Sequence, residues 1–209
     1  QLQEVLAAYR ESLAPDRRHL AASYRYVHAA RKVVGVGSVG TRAWIVLLLG
    51  RGSGDPLFLQ AKEATVSVLE PYVGASAYRD PGRRVVEGQR LMQAASDVFL
   101  GWVTAEGIDG QKRSFYVRQL WDGKGSADVA GMSPKELAIY ASLCGEALAR
   151  AHARSGDRIA IAAYLGSGEA FDKALVRFAE AYADQNESDY EALQAAAADG
   201  RIEVAEVLV

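Results

Sequence analysis

Two spacings of apolar residues share this chain, and the points where one replaces the other mark its parts. Over 1–13, Leu2, Val5, Leu6, Tyr9 and Leu13 fall on one helical stripe, which Pro15 ends. A second helical stretch is predicted over about 17–31, with Leu20, Tyr24, Val27 and His28 on one side. The pattern then turns β-rich. Val33-Val34 lead into three spaced glycines, Gly35, Gly37 and Gly40, with Ser38 among them, and a strand is predicted over 43–49. The turn-forming cluster 50–55 separates it from a second run, Leu57 to Ala61, that ends on Lys62. Beyond a short segment containing Glu70 and closed by Gly74, a helix is predicted over about 82–97. Strands follow at 98–104 and 114–120, the latter with Tyr116 and Arg118 alternating with Phe115 and Val117.

From 133 the chain reads as helical. Ser133-Pro134-Lys135-Glu136 is a capping box with proline at the first helical position. It opens a helix whose expected core face holds Leu137, Tyr140, Ala141, Cys144, Leu148 and Ala151 and which stops near Gly156. Two more helices are expected, with the stripes Phe171, Leu175, Phe178, Tyr182 and Tyr190, Leu193, Ala197. The expected fold is therefore α+β. N-terminal helices span 1–32, an antiparallel sheet lobe with a glycine loop spans 33–121, and a helical lobe spans 122–209.

Composition changes this picture little. The 209 residues carry 24 basic and 26 acidic side chains, a formal charge of −2, so no broad cationic field for nucleic acid is expected. Cys144 is the one cysteine and is expected to be a buried small hydrophobe. His19 and His28 share no plausible metal-ligand spacing, and no metal site is predicted. His152 and Asp157 resemble a catalytic pair, but helix-end capping explains them more simply. The longest apolar run, 43–49, is too short to span a bilayer, and no leader is visible, so a cytoplasmic protein is expected. The first residue is Gln1 rather than methionine, which raises the expectation of further polypeptide upstream.

The glycine loop is where chemistry enters. A dinucleotide-binding loop requires its third glycine to open a helix, yet Gly40 precedes Trp44-Ile45-Val46-Leu47, which favours a strand. A Walker loop requires Gly-Lys-Ser/Thr, which is absent here. A glycine flap between antiparallel strands, with a lysine on the next strand, is the arrangement of protein kinases. Lys62 lies 22 residues after Gly40, room for a strand, a turn and most of a second strand. The alternative is a plain hairpin with a solvated lysine. In the kinase-like reading the following helix supplies a carboxylate to orient Lys62, with Glu87 first and Glu70 second. A surface Glu87–Arg90 pair is the competing role for Glu87. Arg42 departs from the kinase pattern, which has a small apolar residue two places after the last glycine.

Several strings, among them GVGSVGTRAWIVLL, PLFLQAKEA, RVVEGQRLMQAASDVFLGW, LARAHARSGD and YLGSGEAFD, resemble the bacterial family called domain of unknown function 2252, over about residues 30–200. The resemblance implies a circularly permuted kinase-like fold. In it, catalytic and metal-binding Asp, His and Asn strings precede the glycine loop. Gly35, Gly37, Gly40 and Lys62 match the pattern. The catalytic and metal-binding strings have no counterpart in this sequence. The resulting expectation is the ATP-binding portion of a small-molecule-type phosphotransferase, with ATP and magnesium as cofactors. Its partners would be nucleotide and the missing N-terminal half of the same protein, and the chain alone would be inactive. A non-catalytic binding or scaffold module that kept the fold is the alternative.

Overall fold

Five antiparallel strands lie side by side in the order β1-β2-β3-β5-β4, so the neighbours in space are not all neighbours in sequence. The computed structural model describes residues 2–32, 40–107, 109–121 and 125–204. In chain order, helices α1 (Leu2–Glu11) and α2 (Pro15–Ala22) precede β1 (Arg25–Arg31), β2 (Ala43–Leu49) and β3 (Pro56–Ala64). A one-turn helix α3 (Glu70–Val73) and helix α4 (Pro81–Met92) come next, then β4 (Gly101–Glu106) and β5 (Lys112–Gln119). The expected succession from the strand over 43–49 to the next strand, the helix and the last two strands holds.

The second predicted helix is shorter than the sequence suggested. It ends at Ala22, and Arg25–Arg31 is a strand paired with β2, from Arg25 opposite Leu49 to Arg31 opposite Trp44. The reason is tertiary. β2 is apolar on both faces, and leaving its outer edge unpaired would expose a row of backbone donors and acceptors beside that apolar surface. Pairing outweighs the weak helical spacing of 23–31, at the cost of a register shift between Tyr26 and His28. The expected strand residues Val33-Val34 lie outside the described residues.

The sheet has two different faces. Leu48, Leu57, Leu59, Val103, Phe115 and Val117 meet on one, where Tyr9 of α1 and Leu13, between the two N-terminal helices, cover them. The Tyr9 hydroxyl donates to the Phe99 carbonyl at 2.5 Å, and burial holds its pKa far above the usual tyrosine value. The other face carries α4. The Gly82 amide donates to Ser114 Oγ at 2.9 Å, while Ser114 Oγ and Thr104 Oγ1 each donate to Asp80 at 2.7 Å. Asp80 also accepts from the Arg83 amide and so caps α4.

The chain divides into the units 1–156 and 157–209. The first ends with α5 (Pro134–Ser155), which opens with the predicted capping box between Ser133 and Glu136. Its intended core face is not buried. Leu137 and Leu148 are about two-fifths and three-fifths exposed, and Cys144 is exposed rather than packed. The second unit holds α6 (Arg158–Leu165) and α7 (Ala170–Ala198). Asp157 caps α6 by accepting from the Ile159 and Ala160 amides. The stripes beginning at Phe171 and at Tyr190 belong to one helix, α7, rather than two. Among the described residues, α5, α6 and α7 contribute no buried side chain.

Candidate functional site

Lys62 lies on β3 opposite Ala43 of β2 and Tyr116 of β5. Side chains alternate along a strand, so Gln60 and Lys62 of β3 share a face with Tyr116 and Arg118 of β5. Ser114, two residues before Tyr116, points the same way and receives the start of α4. The lysine and the helix are therefore on one side of the sheet, opposite the Tyr9–Leu13 core. Polar groups on this face are partly withdrawn from water. Gln60 is 5% exposed, and burial pushes the Tyr116 hydroxyl upward against the opposing pull of Arg118. Arg118 Nε is buried with no hydrogen-bond partner among the described residues. Sequence alternation shows which residues share a side of β5; it takes the β3–β5 register to place Gln60 and Arg118 together.

Gly40, the last glycine of the loop, has φ +83°, and a Cβ there would meet nothing within 4 Å among the described residues. This backbone conformation favours glycine at the position. A strand follows it at Ala43, not a helix, so the dinucleotide-type arrangement is excluded. Gly35, Gly37 and Ser38 lie outside the described residues.

Immediately after the loop stands a group of four charged side chains that sequence reading left unconnected. The Arg42 amide and Nη1 donate to Glu63 Oε2 at 3.0 and 3.4 Å, and Arg42 Nη2 lies 3.4 Å from Asp109. Arg113 approaches the other Glu63 oxygen at 3.6 Å and grips Asp109 with two contacts of 2.6 and 2.7 Å. The hydrogen bonds from Arg113 hold the Asp109 carboxyl well below the usual carboxylate range. Glu63 and Arg113 are only 12% and 15% exposed. The cluster thus joins the loop exit, the residue after Lys62 and the β4–β5 turn. Acid–base alternation at 62–63 and 109–113 hints at it, but only strand pairing brings the groups together.

The two carboxylates expected to orient the lysine sit differently. Glu87, on α4, pairs with Arg90 at 3.3 Å, the i,i+3 pair weighed above. It also lines a shallow groove with Ser76, Tyr78, Arg84 and Leu91. Arg90 is further held by the Leu100 carbonyl at 2.8 Å and by the face of Trp102. Glu70 begins the one-turn helix α3, between exposed Leu69 and Tyr72.

No helix among the described residues is long and apolar enough to cross a membrane. A family model described as "Uncharacterized protein conserved in bacteria", domain of unknown function 2252, matches residues 1–196. No curated protein and no solved structure matches the chain.

Proposed function

The chain belongs to this bacterial family, and from that premise we propose that residues 33–64 form the nucleotide-binding element of a kinase-like phosphotransferase. The observation that carries the reading is the placement of Lys62. It lies on the strand after the glycine loop, on the sheet face that α4 covers. In this reading the loop amides and Lys62 hold the phosphates of ATP, and Glu87, or else Glu70, orients the lysine. The left-handed Gly40 suits a loop that must turn back over a ligand.

Magnesium would arrive with the nucleotide. Among the described residues no group of three or more His, Cys, Asp or Glu is placed to hold a metal. The general base and metal ligands would come from further polypeptide preceding the loop, as in a circularly permuted kinase. The exposed apolar side chains of α5 and, separately, of α7 support docking of additional chain. Those same surfaces favour a second reading, a binding or scaffold module that kept the fold without the chemistry.

Amide hydrogen exchange tests the site. Saturating magnesium-ATP should slow exchange across 33–41, and Lys62→Ala should remove the effect. Unchanged exchange there, in a folded chain at saturating nucleotide, would refute the proposal.

A further inference from the structure

Arg118, on the sheet face that carries Lys62, is half-buried, and its Nε is shut off from water. Its side chain enters no hydrogen bond or ion pair among the described residues. A guanidinium withdrawn from water without a counter-charge is costly, and the neighbouring arginines avoid that cost. Arg18 also has a buried, unpartnered Nε, but Glu11 stands 2.7 Å from its Nη1. Arg113 is held by Asp109 and Glu63, and Arg90 by Glu87 and the Leu100 carbonyl. Directly across from Arg118 on β3 is Gln60, 5% exposed, whose side-chain amide likewise makes no hydrogen bond among the described residues. Tyr116 turns to the same face, where burial raises its pKa and so keeps the hydroxyl protonated and able to donate. Arg118 acts on that hydroxyl as a nearby positive charge. Arg118 and Tyr116 keep part of their surface in water, so the group is open to a small molecule. A guanidinium, an amide and a phenol together offer N–H and O–H donors to an acceptor-rich group, and the Nε edge of an arginine takes two oxygens at once. We infer that Arg118, with Gln60 and Tyr116, forms a subsite for an oxyanion, a phosphate or carboxylate group of a small-molecule ligand. Gln60 lies two residues before Lys62, about 7 Å along β3, so one multiply charged ligand can reach both Arg118 and Lys62. The subsite is built by β3 and β5 alone and goes beyond the role proposed for Lys62, without drawing on the glycine loop.

Arg118→Met keeps the apolar stem and removes the charge. Without ligand its urea midpoint should equal or exceed that of wild type, because an uncompensated guanidinium is gone. A lower midpoint would make the arginine a structural element and overturn the inference. Sodium tripolyphosphate, magnesium-ATP and citrate are then titrated calorimetrically into wild type and variants at constant ionic strength. Wild type should bind at least one of them, and Arg118→Met should bind that anion about ten-fold or more weakly. A drop for tripolyphosphate and magnesium-ATP identifies the oxyanion as a phosphate; a drop for citrate alone identifies it as a carboxylate. Arg118→Lys keeps the charge but not the paired N–H edge, so it should fold as wild type yet weaken the same anion. Wild-type affinity in that variant would overturn the inference, as would a folded wild type that binds none of the three. Magnesium-ATP binding that is lost in Lys62→Ala but unchanged in both Arg118 variants, with no Arg118-dependent citrate binding, would refute the subsite and leave the nucleotide site standing. Tripolyphosphate or citrate binding that needs Arg118, in a chain that takes up no magnesium-ATP, would do the reverse.

Discussion

Two glycines of α4 should respond to alanine with opposite signs. At Gly82 an added Cβ would lie 2.6 Å from the Phe115 carbonyl oxygen and 2.6 Å from Ser114 Oγ. The first is backbone of a paired strand and cannot turn aside, so either α4 or β5 must shift. Such overpacking costs about 1–3 kcal/mol, and weakening the Gly82 amide to Ser114 hydrogen bond adds about 1 kcal/mol. Helix propensity returns at most about 1 kcal/mol, less in the first turn. The steric cost wins, for a net loss of about 2 kcal/mol and a Tm lower by about 4–8 °C. At Gly88 nothing among the described residues lies within 4 Å of the added methyl, so propensity acts alone and stability should rise by about 0.5–1 kcal/mol. Urea unfolding followed by tryptophan fluorescence reads this directly, because Trp44, Trp102 and Trp121 all lie in the first unit. A Gly82→Ala protein as stable as wild type would refute the close approach of α4 to β5. So would two variants that shift in the same direction.

Tyr9→Phe removes the hydroxyl that satisfies the Phe99 carbonyl and should cost about 1–2 kcal/mol in the same assay; no loss would mean water replaces it freely. Asp80 predicts a pH effect. Burial raises its pKa, but hydrogen bonds from the Arg83 amide, Thr104, Ser114 and the Gly82 amide together lower it below the unfolded value. A depressed carboxyl stabilises the fold above the unfolded pKa, about 3.9, and that contribution is lost as pH falls through the folded value. Asp80→Asn should therefore flatten the acid side of the stability curve measured between pH 6 and the acid limit. An unchanged slope would separate Asp80 from acid unfolding.

The central hairpin, α4 and the last two strands were legible because their apolar runs are long and their turns glycine-rich. Pro134 and the capping box likewise marked the start of α5 correctly, since capping is chemistry local to four residues. Residues 25–31 were misread because Tyr24, Val27 and His28 satisfy a helical spacing, while what makes them a strand is β2, a partner no local pattern reveals. Cys144 was expected in a core, and its helix does carry an apolar stripe; what the sequence could not say is that this stripe has no buried member among the described residues. That Lys62 lies on the strand after the glycine loop could be read from the sequence. Its setting could not, because Gln60, Tyr116 and Arg118 converge only through the β3–β5 register. The Arg42–Glu63–Arg113–Asp109 cluster, which brings residues 67 apart in sequence into contact, was beyond reach for the same reason.

The most direct test of the proposed nucleotide site is calorimetric titration of magnesium-ATP into this chain beside a folded Lys62→Ala variant. Saturable binding by wild type that the substitution abolishes is the predicted result. A folded wild type that takes up no nucleotide, or a Lys62→Ala variant that binds as well as wild type, would contradict the account.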